Sequence, residues 1–523
     1  MNDPIIINLI NYMSMKLNKF FLMFAIGLGL FACSENELEG NGPEGVQNEG
    51  TTYVGLKINF NSSSTRAGEQ PIDGDGDDTL YDDPEDGNEA LIKDVRIVVT
   101  DENGNVQYND VVTDTDADKK YVFQIPSGIK YFYAVVNGNS LGLADELKSW
   151  DGDQLTLLKK ASDLYDFNAS ETAGKGFLMS SVSAVQRPIQ DNVTETDVIA
   201  GKANNVEITV ERVVAKVTMQ LSNNLVAEGG FNDQTATLKG LTCQIGNADN
   251  IKYDKNGADE NAQYSTAGTY LMASNNASNV RVTPYYEYVN SAVDFWDNFS
   301  EDKLLSTAQT IYPVEDNTPI TACFYCLENT HASGNYLQSN TTFIKVAAQM
   351  IPNSAKEFTY SADAEPEVTI SNRGSMPAEP QTFYVITAAP DQKDLNAYVF
   401  AEDLAKLYAT LVTDGSASAI DDQAADVVTA LAAYGYYFTE PYKDGYGYYN
   451  IWVNDMKNAN GEILNIAPIF RNDWYNLTIQ SLKLPGSPTG DLEPEEPIHP
   501  NTYVGVTLTV RSWNQVEHDV NLQ

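Results

Sequence analysis

The sequence has 523 residues, enough for two or three domains, and its 32 basic and 73 acidic side chains give a net charge of −41. A chain this acidic, with no cluster of Lys and Arg, is not expected to bind nucleic acid or an anionic membrane surface. Three histidines, His331, His499 and His518, leave little for histidine-based catalysis or metal binding. The 42% hydrophobic content and the 30 tyrosines favour a folded, extracellular, β-rich protein.

The N-terminus predicts export. Residues 1–32 form a predicted signal peptide, with Met15 as the expected start, because two lysines precede an apolar run at 20–32 that is too short to span a bilayer. The run ends in Leu30-Phe31-Ala32-Cys33, which resembles a bacterial lipobox. Cleavage before Cys33 would leave this cysteine to carry a lipid anchor. A plain signal peptide with an incidental cysteine is the alternative.

Residues 33–66 form the predicted lipidated propeptide, and they contain the first strand. Residues 51–60 alternate in polarity, which predicts a half-buried strand with its apolar face formed by Val54, Leu56, Ile58 and Phe60. The Arg66–Ala67 bond follows in a Ser-rich stretch, the kind of segment that proteases cut. The acidic segment 73–89 fails the EF-hand pattern and is interpreted as a solvated loop.

Alternating strands separated by turns predict a mostly β fold over the rest of the chain. We expect one β-sandwich at 67–208 and a second at 209–484, with small helical insertions at 401–411 and 421–434. Five prolines then predict an extended, solvated linker at 485–501.

Three cysteines remain after Cys33. They are Cys243, Cys323 and Cys326, an odd number that cannot all pair within one chain. Cys323 and Cys326 lie three apart in a predicted strand and therefore face opposite sides of it. Buried structural cysteines are favoured over a metal or redox site.

The C-terminal tail repeats the first strand. Residues 52–60 align without gaps to residues 502–510 at a constant offset of 450, and the first four residues, Thr-Tyr-Val-Gly, are identical. We call residues 51–60 the head strand and residues 502–523 the tail. Two segments with one apolar pattern are able to fill the same groove. The predicted donor-strand residues are Tyr503, Val504, Val506, Leu508, Val510 and Trp513, of which Val504, Val506, Leu508 and Val510 are expected to be buried in the groove.

This repeat suggests a route to polymers. Cleavage after Arg66 would free the head strand, and the tail of a second copy would replace it. Such a head-to-tail contact does not close on itself and so builds a filament. The alternative is that both segments are ordinary edge strands.

Several stretches resemble the Mfa-type fimbrilins, the major shaft subunits of short fimbriae (type V pili) in Bacteroides-type bacteria. The resemblance covers nearly the whole chain and is carried by Lys16-Leu17-Asn18-Lys19, Phe31-Ala32-Cys33-Ser34, Ser64-Thr65-Arg66-Ala67-Gly68, Val210-Glu211-Arg212-Val213-Val214-Ala215-Lys216, Asn329-Thr330-His331-Ala332-Ser333-Gly334, Arg471-Asn472-Asp473-Trp474-Tyr475 and the tail from residue 504 to residue 522.

The resemblance implies two transthyretin-like β-sandwich domains and a cell-adhesion role. It also implies an outer-membrane lipoprotein precursor with a lipid such as palmitate on Cys33, and an arginine-specific protease that cuts between Arg66 and Ala67. The tail would then act as the donor strand in a cell-surface fimbrium. The implied partners are further copies of the chain, other fimbrial subunits at the anchor and the tip, and a receptor on a host or bacterial surface. The membrane is contacted through the lipid alone.

Three other functions compete with this one. An enzyme is disfavoured because the common catalytic motifs are missing from the sequence, and we expect no catalytic, cofactor or metal site, although paired carboxylates of a glycosidase need no motif. A monomeric glycan-binding surface lipoprotein would use exposed aromatic residues such as those of Tyr446–Trp452. An accessory or tip fimbrial subunit would not need the donor tail that this chain has.

Overall fold

The computed structural model describes residues 51–60, 92–112, 120–150, 176–181, 183–223, 235–246, 251–252, 265–266, 309–313, 320–329, 336–338, 341–362, 367–390, 392–412, 415–454, 467–492, 496–498 and 504–512. All of them belong to one compact unit, Glu49–Gln523. Outside the described residues lie Cys33, Arg66, Ala67, the acidic segment 73–89, Tyr503 and Trp513. The side chains of Phe60 and of residues 504–512 are likewise not described.

The N-terminal half forms a sheet that the described residues build from eight strands. They are β1 (Thr51–Phe60), β2 (Val95–Asp101), β3 (Val106–Val112), β4 (Lys120–Pro126), β5 (Gly128–Val136), β6 (Met179–Ser181), β7 (Val185–Ile189) and β8 (Asn205–Arg212). Their order is β3-β2-β5-β6-β8-β1-β4, and β7 pairs with β5. The head strand is therefore an internal strand of this sheet.

The sheet curls so that strands from its two ends meet. Tyr108 of β3 stacks on Phe123 of β4 with ring centroids 4.3 Å apart. Between them the core is closed by buried aliphatic side chains, among them Leu56, Ile97 and Ile208. Two short helices, α1 (Ala144–Lys148) and α2 (Glu195–Ile199), complete this half. Burial of this aliphatic surface is the main stabilising contribution to the half.

The C-terminal half packs two sheets face to face. One has the order β13-β10-β15-β21 and the other β14-β9-β22-β23, with a further small pair β11-β12. Their core includes Val217 and Leu477 from one sheet and Val346 and Ile451 from the other. The strands are β9 (Val214–Leu221), β10 (Ala236–Gly246), β11 (Ile251–Lys252), β12 (Ser265–Thr266), β13 (Gln309–Tyr312), β14 (Ala322–Leu327), β15 (Phe343–Pro352), β21 (Tyr446–Trp452), β22 (Asp473–Leu482) and β23 (Val504–Ser512).

An insertion between β15 and β21 carries its own sheet. Its strands are β16 (Lys356–Ser361), β17 (Glu367–Asn372), β18 (Phe383–Ala389), β19 (Gln392–Phe400) and β20 (Tyr437–Phe438), in the order β17-β16-β19-β18-β20. The predicted helical insertions are present as α3 (Ala401–Ala405), α4 (Tyr408–Leu411) and α5 (Ile420–Leu431). They pack Leu404 and Val427 against Ile386 of the sheet. The expected mostly β fold with few short helices is confirmed, and its transthyretin-like character stays a prediction.

The two halves join at Val213, a few residues later than the expected boundary at 208. Residues up to Arg212 belong to the first sheet because β8 pairs with β1 as far as Val210 and with β6 as far as Arg212. The backbone amide of Arg212 donates a hydrogen bond to the side-chain oxygen of Asn472 at 3.3 Å across the join. Beside it Arg471 donates to Glu328 at 2.8 Å, and both side chains are almost fully buried. A buried pair of this kind is costly to break, which stabilises the segment that carries Asn472.

The expected solvated linker is wrong for its described part. Ser487 exchanges two backbone hydrogen bonds with Tyr448 of β21, at 2.8 and 3.0 Å. Leu492 and Ile498 are buried in a cluster with Trp452. These isolated apolar side chains hold a proline-rich segment on the surface of the domain because they remove apolar area from water.

The cysteines lie where the strand pattern placed them. Cys243 and Cys326 are buried in the C-terminal core, and Cys323, three residues before Cys326, packs against the N-terminal core instead. Cys243 and Cys326 are free thiols. Within the described ranges, we find no cluster of potential metal ligands and no helix long and apolar enough to cross a bilayer.

Candidate strand-exchange site

The head strand is paired on both sides. It runs antiparallel to β4, where Leu56 lies opposite Tyr121, and parallel to β8, where Leu56 lies beside Val206. Among the described strands, β4 has β1 as its one neighbour in the sheet. Loss of β1 would therefore leave one edge of β8 and the whole of β4 without their backbone partner, a groove that only another strand can fill.

The predicted apolar face of the head strand points into the N-terminal core. Val54 and Leu56 are fully buried, and Ile58 is half-buried against the same cluster. Lys57, between the last two, is exposed. Opposite Leu56, burial raises the pKa of the Tyr121 hydroxyl. The groove is thus apolar at every second position along the strand.

Polar contacts also hold the start of the head strand. The Thr52 hydroxyl accepts a hydrogen bond from the Val193 amide at 3.0 Å. The Tyr53 amide donates to the Val193 carbonyl at 3.2 Å, and the Tyr53 carbonyl accepts from the Asn204 side-chain amide at 3.0 Å. Thr52 itself is 1% exposed. Asn204 has φ of +48°, in the left-handed region, and its carbonyl accepts from the amide of Gly55 at 3.0 Å.

One residue of the head strand has no room for a side chain. A β-carbon on Gly55 would lie 2.4 Å from Cγ1 of Val198, which is fully buried in α2. Real β-carbons do not approach another atom so closely, so helix α2 can lie on the strand only where the strand has glycine. We call Val193, Val198 and Asn204 the head-strand clamp.

The tail strand β23 lies elsewhere, at the edge of its own C-terminal sheet. It pairs antiparallel with β22, and the register sets Val506, Leu508 and Val510 opposite Ile479, Leu477 and Tyr475. Those three residues of β22 are buried. A tail beyond an extended, solvated linker is expected to be free, whereas in the structure its strand β23 is paired with β22. The apolar positions of the tail match the buried positions of β22, which explains this pairing.

The structure does not bring the head and tail strands together, because they belong to different sheets. Sequence reasoning found the apolar positions of both strands but missed the clamp and the two head-strand residues that it holds, Thr52 and Gly55. A signal for them was available. The four identical residues of head and tail include this threonine and this glycine, neither of which is needed for an apolar face.

The aromatic strand β21 does not offer a platform for sugars. Tyr448, Tyr449 and Trp452 are each less than 5% exposed. The Tyr449 hydroxyl donates to the Lys483 carbonyl at 2.9 Å, inside the domain. Stacking on a sugar needs an accessible ring face, so these three residues do not support the glycan-binding alternative, and Tyr446 is half-buried.

A family model and two curated proteins match parts of this chain. Residues 440–519 match the family model described as "Major fimbrial subunit protein type IV, Fimbrillin, C-terminal". Two curated proteins of Porphyromonas gingivalis, both named "Minor fimbrium subunit Mfa1", are 24% identical over 360 residues, which is 65% of this chain and 68% of theirs. These matches support the resemblance of the chain to the Mfa-type fimbrilins.

The matched family region contains β21, β22 and the tail strand β23, so the pairing of β22 with β23 lies within it. A solved structure of the tip fimbrial protein Mfa3 of P. gingivalis, with a C-terminal truncation, aligns with 88% of this chain and 100% of its own at 12% identity and a TM-score of 0.34. The matched descriptions name major and minor subunits alike.

Proposed function

We propose that this protein is a structural subunit of a cell-surface fimbrium that serves adhesion. In this proposal it is exported as a lipoprotein on Cys33 and cleaved between Arg66 and Ala67. The tail strand of one subunit then replaces the head strand of the next. The product is a head-to-tail polymer, since the donor and the acceptor surfaces are different parts of one chain.

One observation carries the proposal. The head strand precedes Arg66 in sequence, yet it is an internal strand of the sheet, paired with β4 and β8. Cleavage at Arg66 would cut the covalent link between this strand and the rest of the sheet. The strand could then leave, and the groove behind it would demand a strand with the same alternation, which the tail has.

The tail strand would have more backbone partners in the groove than it has in its own sheet, which favours exchange. In its own sheet β23 has β22 as its one strand partner among the described residues. In the groove it would gain a ladder on each side, to β4 and to β8. Each of its four apolar side chains would contribute roughly 1.5–3 kcal/mol as an upper bound. Exchange therefore trades a one-sided ladder for a two-sided one.

The packed linker shortens the reach of the tail. Ile498 is buried, so the link that remains before the tail is residues 499–501, whose extended length is roughly 10 Å at about 3.3 Å per residue. A link of this length places donor and acceptor domains in direct contact and favours a stiff shaft. A shaft position also suits a chain that has both a groove strand and a donor tail. Anchor and tip subunits would end the polymer, and an adhesin function implies a surface receptor.

The test is proteolysis of the purified full chain followed by electron microscopy. Limited trypsin treatment should give a large fragment whose N-terminal residue is Ala67, and filaments should appear after cleavage. Arg66→Ala is the matched control, because it keeps the head strand linked while leaving the groove and the tail unchanged. Filaments formed by Arg66→Ala, or a wild-type fragment that starts at Ala67 and stays monomeric, would contradict the proposal.

A further inference from the structure

The head-strand clamp recognises more than an apolar pattern. When the head strand leaves, the amide and carbonyl of Val193 and the side chain of Asn204 lose the partners that they have in β1. Buried polar groups without partners are unfavourable, so the clamp demands the same groups from the strand that enters. The helix residue Val198 adds a demand for a position without a side chain.

We propose that Thr502 and Gly505 of the tail form a register key that fits the head-strand clamp of the next subunit. This inference rests on the proposed strand exchange and adds what fixes its register. At the offset of 450, Thr502 takes the position of Thr52 and Gly505 that of Gly55. The hydroxyl of Thr502 accepts from the Val193 amide, and Gly505 lies under Val198.

The key permits a single register. Gly505 is the one glycine between residues 502 and 512 of the sequence. A slip by one residue would bring Val504 or Val506 to the position under Val198, and it would also turn the apolar face of the tail outward. A slip by two residues would keep the apolar face inward, but it would bring Tyr503 or Thr507 to that position. Apolar alternation alone does not reject the second slip, whereas the glycine position does.

The steric half of the key is tested by a cycle of variants in the full chain. Gly505→Ala adds one β-carbon, and we expect the cleaved protein to polymerise about tenfold more slowly or worse, as overpacking of a tight site does. Val198→Ala removes the methyl group at 2.4 Å and leaves the β-carbon of residue 198 at an ordinary 3.9 Å. The double variant should therefore polymerise faster than Gly505→Ala alone.

Thr507→Ala is the matched control in the tail. Thr507 aligns with Lys57, which is exposed in the head strand. The Thr507→Ala protein should therefore polymerise at the wild-type rate. Before cleavage, all variants are compared by thermal melting to verify that they are folded. Light scattering after trypsin treatment gives the rates.

The polar half of the key is tested by Thr502→Ser and Thr502→Val. Thr502→Ser keeps the hydroxyl that accepts a hydrogen bond from the Val193 amide, so this protein should polymerise like the wild type. Thr502→Val keeps the shape of the side chain and loses the hydrogen-bond acceptor, so this protein should polymerise several-fold more slowly.

The outcomes separate this inference from the proposed function. If the cleaved wild type forms no filaments, strand exchange itself is wrong. If the wild type polymerises while Gly505→Ala keeps its rate, or while Val198→Ala fails to rescue Gly505→Ala, exchange stands and the register key is wrong.

Discussion

Leu508 of the tail lies opposite Leu477, a buried residue of β22, in the subunit's own C-terminal sheet. The tail is therefore part of the folded subunit before any exchange occurs. A donor strand that is paired in its own sheet has to leave that sheet before it can enter another. Pairing with β22 satisfies the backbone groups along one side of this strand, and among the described strands β23 is the edge of its sheet.

A charge at Leu508 should affect both the subunit and the polymer. Leu508→Asp places a carboxylate opposite the buried residue Leu477. It should lower the free energy of unfolding of the uncleaved protein by about 1–3 kcal/mol. It should also block polymerisation, because position 508 corresponds to Ile58 of the head strand. Urea unfolding and light scattering measure the two effects.

Thr507→Asp is the control for this substitution. Thr507 lies opposite Thr478, which is half-buried, and aligns with the exposed Lys57. We expect a much smaller loss of stability and continued polymerisation. An uncleaved Leu508→Asp protein that is as stable as the wild type would mean that the tail does not stay paired with β22 in solution.

The contact between Gly55 and Val198 predicts a stability effect in the uncleaved precursor. Gly55→Ala should lower the free energy of unfolding by about 1–3 kcal/mol, because the new β-carbon overlaps Cγ1 of Val198. Adding Val198→Ala should recover part of this loss relative to Val198→Ala alone. Unfolding curves of the four proteins measure the coupling, and strictly additive effects would show that the two residues do not contact each other.

The buried thiols predict a pH dependence. Burial raises the pKa of Cys243 and of Cys326. Above the ordinary thiol pKa of about 8.5, the unfolded chain therefore releases protons that the folded chain keeps, and stability falls as the pH rises through that value. Because the thiolate is the reactive form, neither cysteine should react with iodoacetamide in the folded protein at pH 8.

Peptide mapping after alkylation measures this reactivity. Both thiols should be modified once the chain is unfolded in urea. Fast modification of Cys243 or Cys326 in the folded protein would refute their place in the core.

Alternation predicted the strands well where one face is buried. Val54, Leu56 and Ile58 were identified because a strand in contact with a core must alternate. Likewise Leu404 and Leu407 lie at helical spacing and mark the helices of the insertion. Local pattern is sufficient for such elements because each follows from one apolar face.

Features that depend on distant partners could not be predicted in the same way. The alternation of Val506 and Leu508 shows that the tail needs a groove, but it does not say which sheet supplies one, and β22 and the N-terminal groove both match it. Leu492 and Ile498 stand alone among prolines and acidic residues, so nothing local indicated their burial. The clamp residue Val198 is far from the head strand in sequence, and its effect on Gly55 is visible only in three dimensions.

In the proposed polymer, the tail of one subunit occupies the place of the head strand in the next. Tyr53 lies opposite the exposed Gln124 of β4, so the offset of 450 puts Tyr503 beside Gln124 of the neighbouring subunit. The measurement is disulfide trapping in the full chain that contains Tyr503→Cys and Gln124→Cys, analysed on a non-reducing gel before and after trypsin cleavage.

The account predicts a ladder of covalent multimers that forms only after cleavage, with Ala67 at the N-terminus of the large fragment. A control with Tyr503→Cys and Val122→Cys, two residues out of register, should give little or no ladder. Cleaved filaments without the ladder, or equal ladders for the two cysteine pairs, would contradict the account.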